Sequence, residues 1–278
     1  MSNNLKIKTL QILKKYKIKP QKRYGQNFLI NENIIKKIIL AAEITKEDTI
    51  LEIGPGLGFL TKILAKKTKK VIAIEKDENM VKILKEELKE FKNIKIIKED
   101  ILKIKNLNEI LENKKYKIVA NLPYYITGPV IKKFLTEEPF PEVLILMVQK
   151  EVAQRIVAKS PKGNFLSNFI QYLANCKIIS YIDSHNFFPK PKVNSAIIKI
   201  IPKKNIDFNF FKNFLIILKA GFLHPRKTIE NNFAEFFKLN KSSVRELFQK
   251  VGIDSRKRAE SLTEKEWQNI LQIIKEKI

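Results

Sequence analysis

Short apolar runs alternate with stretches of helical spacing up to Pro202. Residues 49–53, 71–74, 94–98, 116–120 and 143–148 are nearly uninterrupted apolar runs, which predict buried strands. Between them, residues 34–42, 59–67 and 77–91 repeat their apolar positions at helical spacing. Ile34, Ile35, Ile38 and Ile39 form one such face, and Asp77 is the expected cap of its helix. Strand and helix alternating across short links predict an α/β fold with a doubly wound, mostly parallel sheet. Residues 150–157 and 165–174 predict two further helices around the loop Ser160-Pro161-Lys162-Gly163. Residues 177–182 and 195–201 predict two last strands, separated by a segment too long for a tight hairpin. Beyond Pro202 the periodic stretches 210–222, 228–237, 242–251 and 263–277 are all helical. The expected division is a catalytic domain over residues 1–202, opened by a basic, partly helical arm ending at Pro20, and a small all-α domain over residues 203–278.

The strand at 116–120 runs into Asn121-Leu122-Pro123-Tyr124-Tyr125-Ile126-Thr127. In open α/β sheets, ligands bind beyond the carboxyl ends of strands. An amide, a proline-stiffened turn and an aromatic ring at such an end suit a flat base carrying an exocyclic amine. The amide oxygen and a neighbouring backbone carbonyl can accept both amine hydrogens, and the ring can stack, which is worth about 1–3 kcal/mol. The same heptad also reads as a strand ending in Asn, a Pro turn and two packing tyrosines. Gly54-Pro55-Gly56-Leu57-Gly58 follows the first strand, behind Glu52, and lets backbone approach a nucleotide. Its third glycine comes one residue early for the dinucleotide fingerprint, which disfavours a pyrophosphate at the helix N-terminus. Glu75, ending the second strand, suits ribose hydroxyls, although NAD enzymes use an acid in the same place. Asp100, at the tip of the third, suits an adenine amine. A cap explains any one of these acids; three at successive strand ends point to an adenosyl cofactor with its amino-acid part near Glu52 and residues 26–29. The cluster Lys22-Arg23-Tyr24-Gly25-Gln26-Asn27-Phe28-Leu29 reads either as a basic loop entering a helix or as a lid.

Composition narrows the partners. Of 278 residues, 44% are hydrophobic, enough for a sizeable core. Lys plus Arg number 54 against 29 acids, and the net charge of +25 argues for a polyanion, unless it reflects a lysine-rich proteome. Cys176 is the only cysteine, which excludes an intrachain disulfide or a Cys-rich zinc site and fits the cytoplasm. His185 and His224 lack metal-ligand spacing, so no metal is expected. No run approaches the ~18 apolar residues of a membrane span, and Leu5-Lys6-Ile7-Lys8 lacks the core of a signal peptide.

Together, Glu52-Ile53-Gly54-Pro55-Gly56-Leu57-Gly58, Glu75, Asp100 and Asn121-Leu122-Pro123-Tyr124 resemble the motifs of S-adenosylmethionine-dependent RNA adenine N6-methyltransferases. Gln26-Asn27-Phe28-Leu29 is similar to their amino-terminal cofactor motif, and Phe187-Phe188-Pro189-Lys190-Pro191-Lys192-Val193-Asn194-Ser195 to their second target-binding loop. Leu223-His224-Pro225-Arg226-Lys227-Thr228, Asn231-Asn232-Phe233 and Arg258-Ala259-Glu260-Ser261-Leu262 resemble the helical domain of the small-subunit (16S) ribosomal RNA adenine dimethyltransferases. Gly128 departs from a usual Ser or Thr, and His224-Pro225 stands before Arg226 where another basic residue is common.

The resemblance implies a Rossmann-like class I methyltransferase with S-adenosyl-L-methionine lined by Asn27, Leu29, Gly54, Glu75, Asp100 and Asn121. It implies a catalytic set of Asn121, Leu122, Pro123 and Tyr124. Tyr124 would face the target base, with Phe187 or Phe188 on its far side. Arg226 and Lys227 would dock RNA, together with Lys219, Arg245, Arg256 and Lys257. The implied reaction is N6-dimethylation of two adjacent adenosines in a hairpin loop near the 3′ end of 16S ribosomal RNA. The implied enzyme is a cytoplasmic monomer acting on a partly assembled 30S subunit. Leu122 leans toward RNA, since DNA adenine methyltransferases usually carry Pro there. The rivals are the same chemistry on large-subunit RNA, opposed by the 187–195 loop and residues 223–262, and a non-enzymatic assembly factor, opposed by Glu75, Asp100 and Asn121.

Overall fold

The computed structural model describes residues 3–112 and 115–275. The chain opens with α1 (Asn3–Lys15), β1 (Phe28–Leu29), α2 (Glu32–Ala41), β2 (Thr49–Ile53), α3 (Phe59–Lys67), β3 (Lys70–Glu75) and α4 (Glu78–Glu87). Then come β4 (Ile94–Lys98), α5 (Leu107–Leu111), β5 (Lys117–Asn121), α6 (Thr127–Thr136), β6 (Leu144–Gln149), α7 (Lys150–Val157), α8 (Phe165–Leu173), β7 (Ala174–Ile182), β8 (Phe187–Phe188) and β9 (Ser195–Pro202). The last helices are α9 (Phe208–Gly221), α10 (Ile229–Phe237), α11 (Lys241–Lys250) and α12 (Glu264–Lys275); the end of the last expected helix, 276–277, lies outside the described residues.

The first compact unit comprises Met1–Ala153 and Cys176–Pro202. Its sheet runs β4-β3-β2-β5-β6-β9-β7. The ladders among β4, β3, β2, β5 and β6 are parallel, and β9 is antiparallel to β6. The chain moves outward from β2 to β3 and β4, then returns to place β5 on the other side of β2. That reversal opens a crevice between the carboxyl ends of β2 and β5. Central strands are mainly apolar because both faces are covered, with polar residues toward their ends. Ile34, Ile35, Ile38 and Ile39 of α2 join Ile50, Val71, Val119, Ile145 and Ile197 in one buried cluster. Asp77 caps α4 by accepting from Asn79 N, as its position predicts.

A second cluster joins Leu13 of α1, Phe28 of β1, Leu57 of the glycine turn, and Met80 and Ile83 of α4. Lys15 pairs with Glu87 at 2.8 Å, and the Tyr16 hydroxyl donates to the same carboxylate. The arm is therefore packed onto the glycine turn and α4. β1 pairs antiparallel with β8, Phe28 opposite Phe188 and Leu29 opposite Phe187. Neither two-residue strand was expected, because two residues carry no period. The short helix α5, capped by Asn106 and burying Leu107 and Leu111, was likewise not expected. α4 stops at Glu87, short of the predicted residue 91.

The second unit comprises Gln154–Asn175 and Lys203–Ile278. Residues 154–175, expected within the first domain, group with the helical segment instead. The reason is aromatic packing: Phe169 meets Phe211 at 5.5 Å, Phe165 meets Phe222 at 6.4 Å, and Tyr172 stacks on Phe214 at 4.4 Å. Backbone bonds from Gly163 N to Glu260 O and from Lys203 N to Leu173 O fix the same grouping. Trp267 is the centre of this core, stacked on Phe222 and edge-on to Phe214. Gly221 lies beneath it; a Cβ there would stand 2.5 Å from Trp267 Cη2. Among the described residues no helix is long and apolar enough to cross a membrane.

Candidate active site

The glycine turn after β2 needs left-handed backbone at each of its glycines, with φ of +68° at Gly54, +58° at Gly56 and +80° at Gly58. Gly54 N donates to Ile74 O at 2.9 Å, which draws the turn onto the end of β3. There Glu75 accepts from Gly56 N at 3.2 Å through Oε2 and from Asp77 N at 2.9 Å through Oε1. Burial raises the pKa of Glu75; these backbone donors oppose the shift and the Asp77 charge adds to it. Glu52, two residues before Gly54, is 2% exposed. Burial pushes its pKa up to about 8, and the nearby Glu75 charge acts in the same direction. Glu52 Oε2 and Thr61 Oγ1 are both buried without a hydrogen-bond partner among the described residues.

Across the crevice, Asn121 ends β5. Its Nδ2 donates to the Asn27 carbonyl at 3.1 Å. That bond assigns the amide orientation and leaves Oδ1 as the open acceptor. Asn27 is itself held by a bond from its Nδ2 to Gly25 O, and Gln26 Nε2 donates to Asp77 Oδ2 at 2.7 Å. Leu122 N donates to Met147 O at 3.2 Å. Tyr124, in a single 3-10 turn, bonds Ser195 Oγ through its hydroxyl at 2.8 Å. Burial raises the pKa of Tyr124, so its hydroxyl stays a phenol at neutral pH.

Asn27, Leu29, Glu52, Gly54, Gly56, Glu75, Asn121, Leu122, Pro123 and Tyr124 line one cleft. Five of the six residues expected at the cofactor, and all four expected to be catalytic, are thus brought together. Asp100 is not among the lining residues. Its Oδ2 is in an ion pair with Lys76 at 2.9 Å and its Oδ1 accepts from Leu102 N. Burial pushes the Asp100 pKa up, but the Lys76 ammonium and the Leu102 amide outweigh it and hold the carboxyl below its ordinary range. Phe187 and Phe188, expected beyond the target base, do not line the cleft either. Phe187 is buried in the main core cluster, and Phe188 packs half-buried against both clusters. Their signal was an aromatic pair in a loop, which does not say which way the rings turn. Thr61 and the anchoring role of Ser195 were not anticipated; the sequence signals for Ser195 are a hydroxyl opening a mostly apolar strand and its place at the end of the 187–195 motif.

In the second unit, Lys227 pairs with Glu235 at 3.0 Å, and His224 Nε2 meets the other oxygen of that carboxylate at 2.7 Å. Arg245 pairs with Glu230, Arg256 with Asp254, and Lys257 with Glu266. Arg226 and Lys219 are exposed and have no partner among the described residues. Asn232, fully buried, donates to Gly221 O and His224 O and accepts from His224 N, which fixes the loop that carries Arg226.

A family model described as ribosomal RNA adenine dimethylase matches residues 17–276. The chain belongs to this family. A relative in Clostridium botulinum (strain Kyoto / Type A2), named ribosomal RNA small subunit methyltransferase A, is 42% identical over 93% of this chain and 95% of its own. One of the same name in Dehalococcoides mccartyi (strain ATCC BAA-2266 / KCTC 15142 / 195) is 38% identical over 92% and 89%. Among solved structures, a dimethyladenosine transferase from Plasmodium falciparum aligns with a TM-score of 0.75 and 28% identity over 89% of this chain and 98% of its own. The 23S ribosomal RNA methyltransferase ErmE aligns with a TM-score of 0.73 over 90% and 100%, at 23% identity, so it shares the fold. In this dimethylase family member, the fold and the cleft follow from one sheet reversal: β2 supplies the glycine turn and β5 the amide.

Proposed function

We propose that this dimethylase family member transfers methyl groups from S-adenosyl-L-methionine to N6 of adenosines in small-subunit ribosomal RNA. The observation that carries this reading is the tether of Asn121 Nδ2 to Asn27, with Oδ1 left open on a cleft that also holds the glycine turn and Glu75. The residues present fit the cofactor. A side chain at Gly54 or Gly56 would strain the left-handed turn, and at Gly56 it would also press on the Phe28 ring at 3.2 Å; Glu75 suits the ribose hydroxyls, and the unpaired Glu52 oxygen can receive a cationic or N–H donor. Asn27 and Leu29 would close the near side. Asp100 would reach an adenine amine by exchanging its bond with Lys76. When bound, S-adenosylmethionine supplies an electrophilic methyl group on a sulfonium centre.

The chain's own residues act on the amine. In the first transfer Asn121 Oδ1 and the Leu122 carbonyl accept the two N6 hydrogens, and in the second the one that remains, which favours a pyramidal nitrogen with a localised lone pair; in each round the surplus N6 proton leaves to solvent after attack. Neither is a strong base, so their contribution is orientation and polarisation. Tyr124 offers a ring to the base, and an unstacked loop adenosine is easier to admit than a paired one. The relatives named for the small subunit, at about 40% identity, favour that substrate, whereas the 23S enzyme shares the fold at lower identity. The finer reading is dimethylation of two adjacent adenosines near the 3′ end of 16S RNA in a maturing 30S particle, by a cytoplasmic monomer.

The test is incubation with labelled cofactor and both ribosomal subunits from a methylation-deficient cell, followed by mapping of modified nucleotides. Asn121→Ala is expected to lower turnover roughly 100-fold or more while the unfolding midpoint stays put. Label confined to the large subunit, or full turnover in Asn121→Ala, would refute the assignment.

A further inference from the structure

We propose that Ser195 is a positioning residue for methyl transfer: its hydroxyl fixes the far end of the Tyr124 ring and so sets the plane on which the target base lies. This rests on the function proposed above. Ser195 opens β9 opposite Gln149 of β6, and it is fully buried. The residues after it, Ala196, Ile197 and Ile198, are as apolar as a covered strand requires. A hydroxyl in that setting is unfavourable unless it is bonded. Its bond is to Tyr124 Oη, at 2.8 Å, reaching back from β9 to the turn after β5.

The anchor itself is rigid. Asn194, one residue before it, accepts from Ser184 N through its side chain at 3.0 Å and from Lys150 N through its carbonyl at 2.9 Å. The backbone leading into Ser195 is therefore tied at Asn194. A tyrosine ring has two side-chain torsions, and the backbone of the 3-10 turn restrains only its near end. The hydroxyl bond restrains the other. Tyr124 lines the cleft together with Asn121 and Leu122, so a tilt of its ring displaces the base from the two acceptors of its amine. An N6-methyl group already in place makes the second transfer more crowded than the first, so a loose ring penalises it more.

The experiment is steady-state methylation of small subunits by wild type, Ser195→Ala, Tyr124→Phe and the double variant, with cofactor affinity by calorimetry and products resolved by mass spectrometry. Each single variant is expected to lose about tenfold in kcat, with little change in KM for the particle or in cofactor affinity. Monomethyladenosine is expected to rise relative to the dimethyl product. The double variant is expected to be no worse than either single one, because each removes the same bond. Losses that multiply in the double variant, or a Ser195→Ala protein with a lower unfolding midpoint and unchanged kcat, would overturn the proposal. If Ser195→Ala does not fold, Tyr124→Phe alone decides: wild-type turnover and product ratio in it would overturn the proposal, and the tenfold loss would sustain it. A wild type inactive on small subunits would instead count against the function proposed above.

Discussion

Glu52 is a carboxyl on the lining of the cleft, and burial raises its pKa to about 8. The unfolded chain releases this proton near the ordinary glutamate value of about 4.3. Between those values the folded state binds more protons than the unfolded one, so the ligand-free protein loses stability as pH rises through that window. Glu75, whose pKa is also raised, contributes with the same sign. Glu52→Gln keeps the shape and removes the titration. Thermal unfolding followed from pH 5 to 8 should show a falling midpoint in wild type and a flatter profile in Glu52→Gln. A parallel fall in both would refute the assignment. Asn121 was legible as a candidate because it ends a strand beside a Pro turn. The orientation of its amide was not, since a backbone carbonyl 94 residues earlier sets it.

At the scale of elements, the α/β alternation was readable because each strand is an apolar run and each helix repeats at its own period. β1 and β8 were not readable, because two-residue strands take their pairing from the chain around them. They matter nonetheless: β1 follows Asn27, which holds Asn121, and β8 lies in the loop that ends at Ser195, which holds Tyr124. The grouping of 154–175 was also hidden, since it depends on ring contacts between segments far apart in the chain. The glycine turn shows how tightly these elements are fitted. Gly58 has φ +80°, and a Cβ there would stand 2.9 Å from Leu84 Cδ2 and 3.2 Å from Leu88 Cδ1. Gly58→Ala would combine left-handed strain with crowding of buried Leu84 and Leu88, for about 2 kcal/mol of destabilisation. Urea unfolding should show the midpoint lowered with an unchanged slope. An unshifted midpoint would mean that α4 yields at no cost.

At the scale of the whole molecule, a charge of +25 points to a polyanion without saying which cations meet it. Ion pairs divide the candidates. Lys227, Arg245, Arg256 and Lys257 each have a carboxylate partner, while Arg226 and Lys219 have none among the described residues. Arg245 also has a structural task, because its partner Glu230 is buried and bonded to Ser255 at 2.7 Å. A cation held by a carboxylate must give up that partner before it takes a phosphate. A free one on a fixed loop releases counterions directly. Affinity for the RNA particle, measured over a range of salt, should separate the two kinds. Arg226→Ala is expected to weaken binding and to make the log–log salt slope shallower by about 0.7–0.9, one phosphate contact. Arg245→Ala is expected to leave the slope unchanged and to lower the unfolding midpoint, because Glu230 loses its counter-charge. If Arg245→Ala flattens the slope and Arg226→Ala does not, the free cations are not the ones that meet RNA, and the paired ones exchange partners on docking.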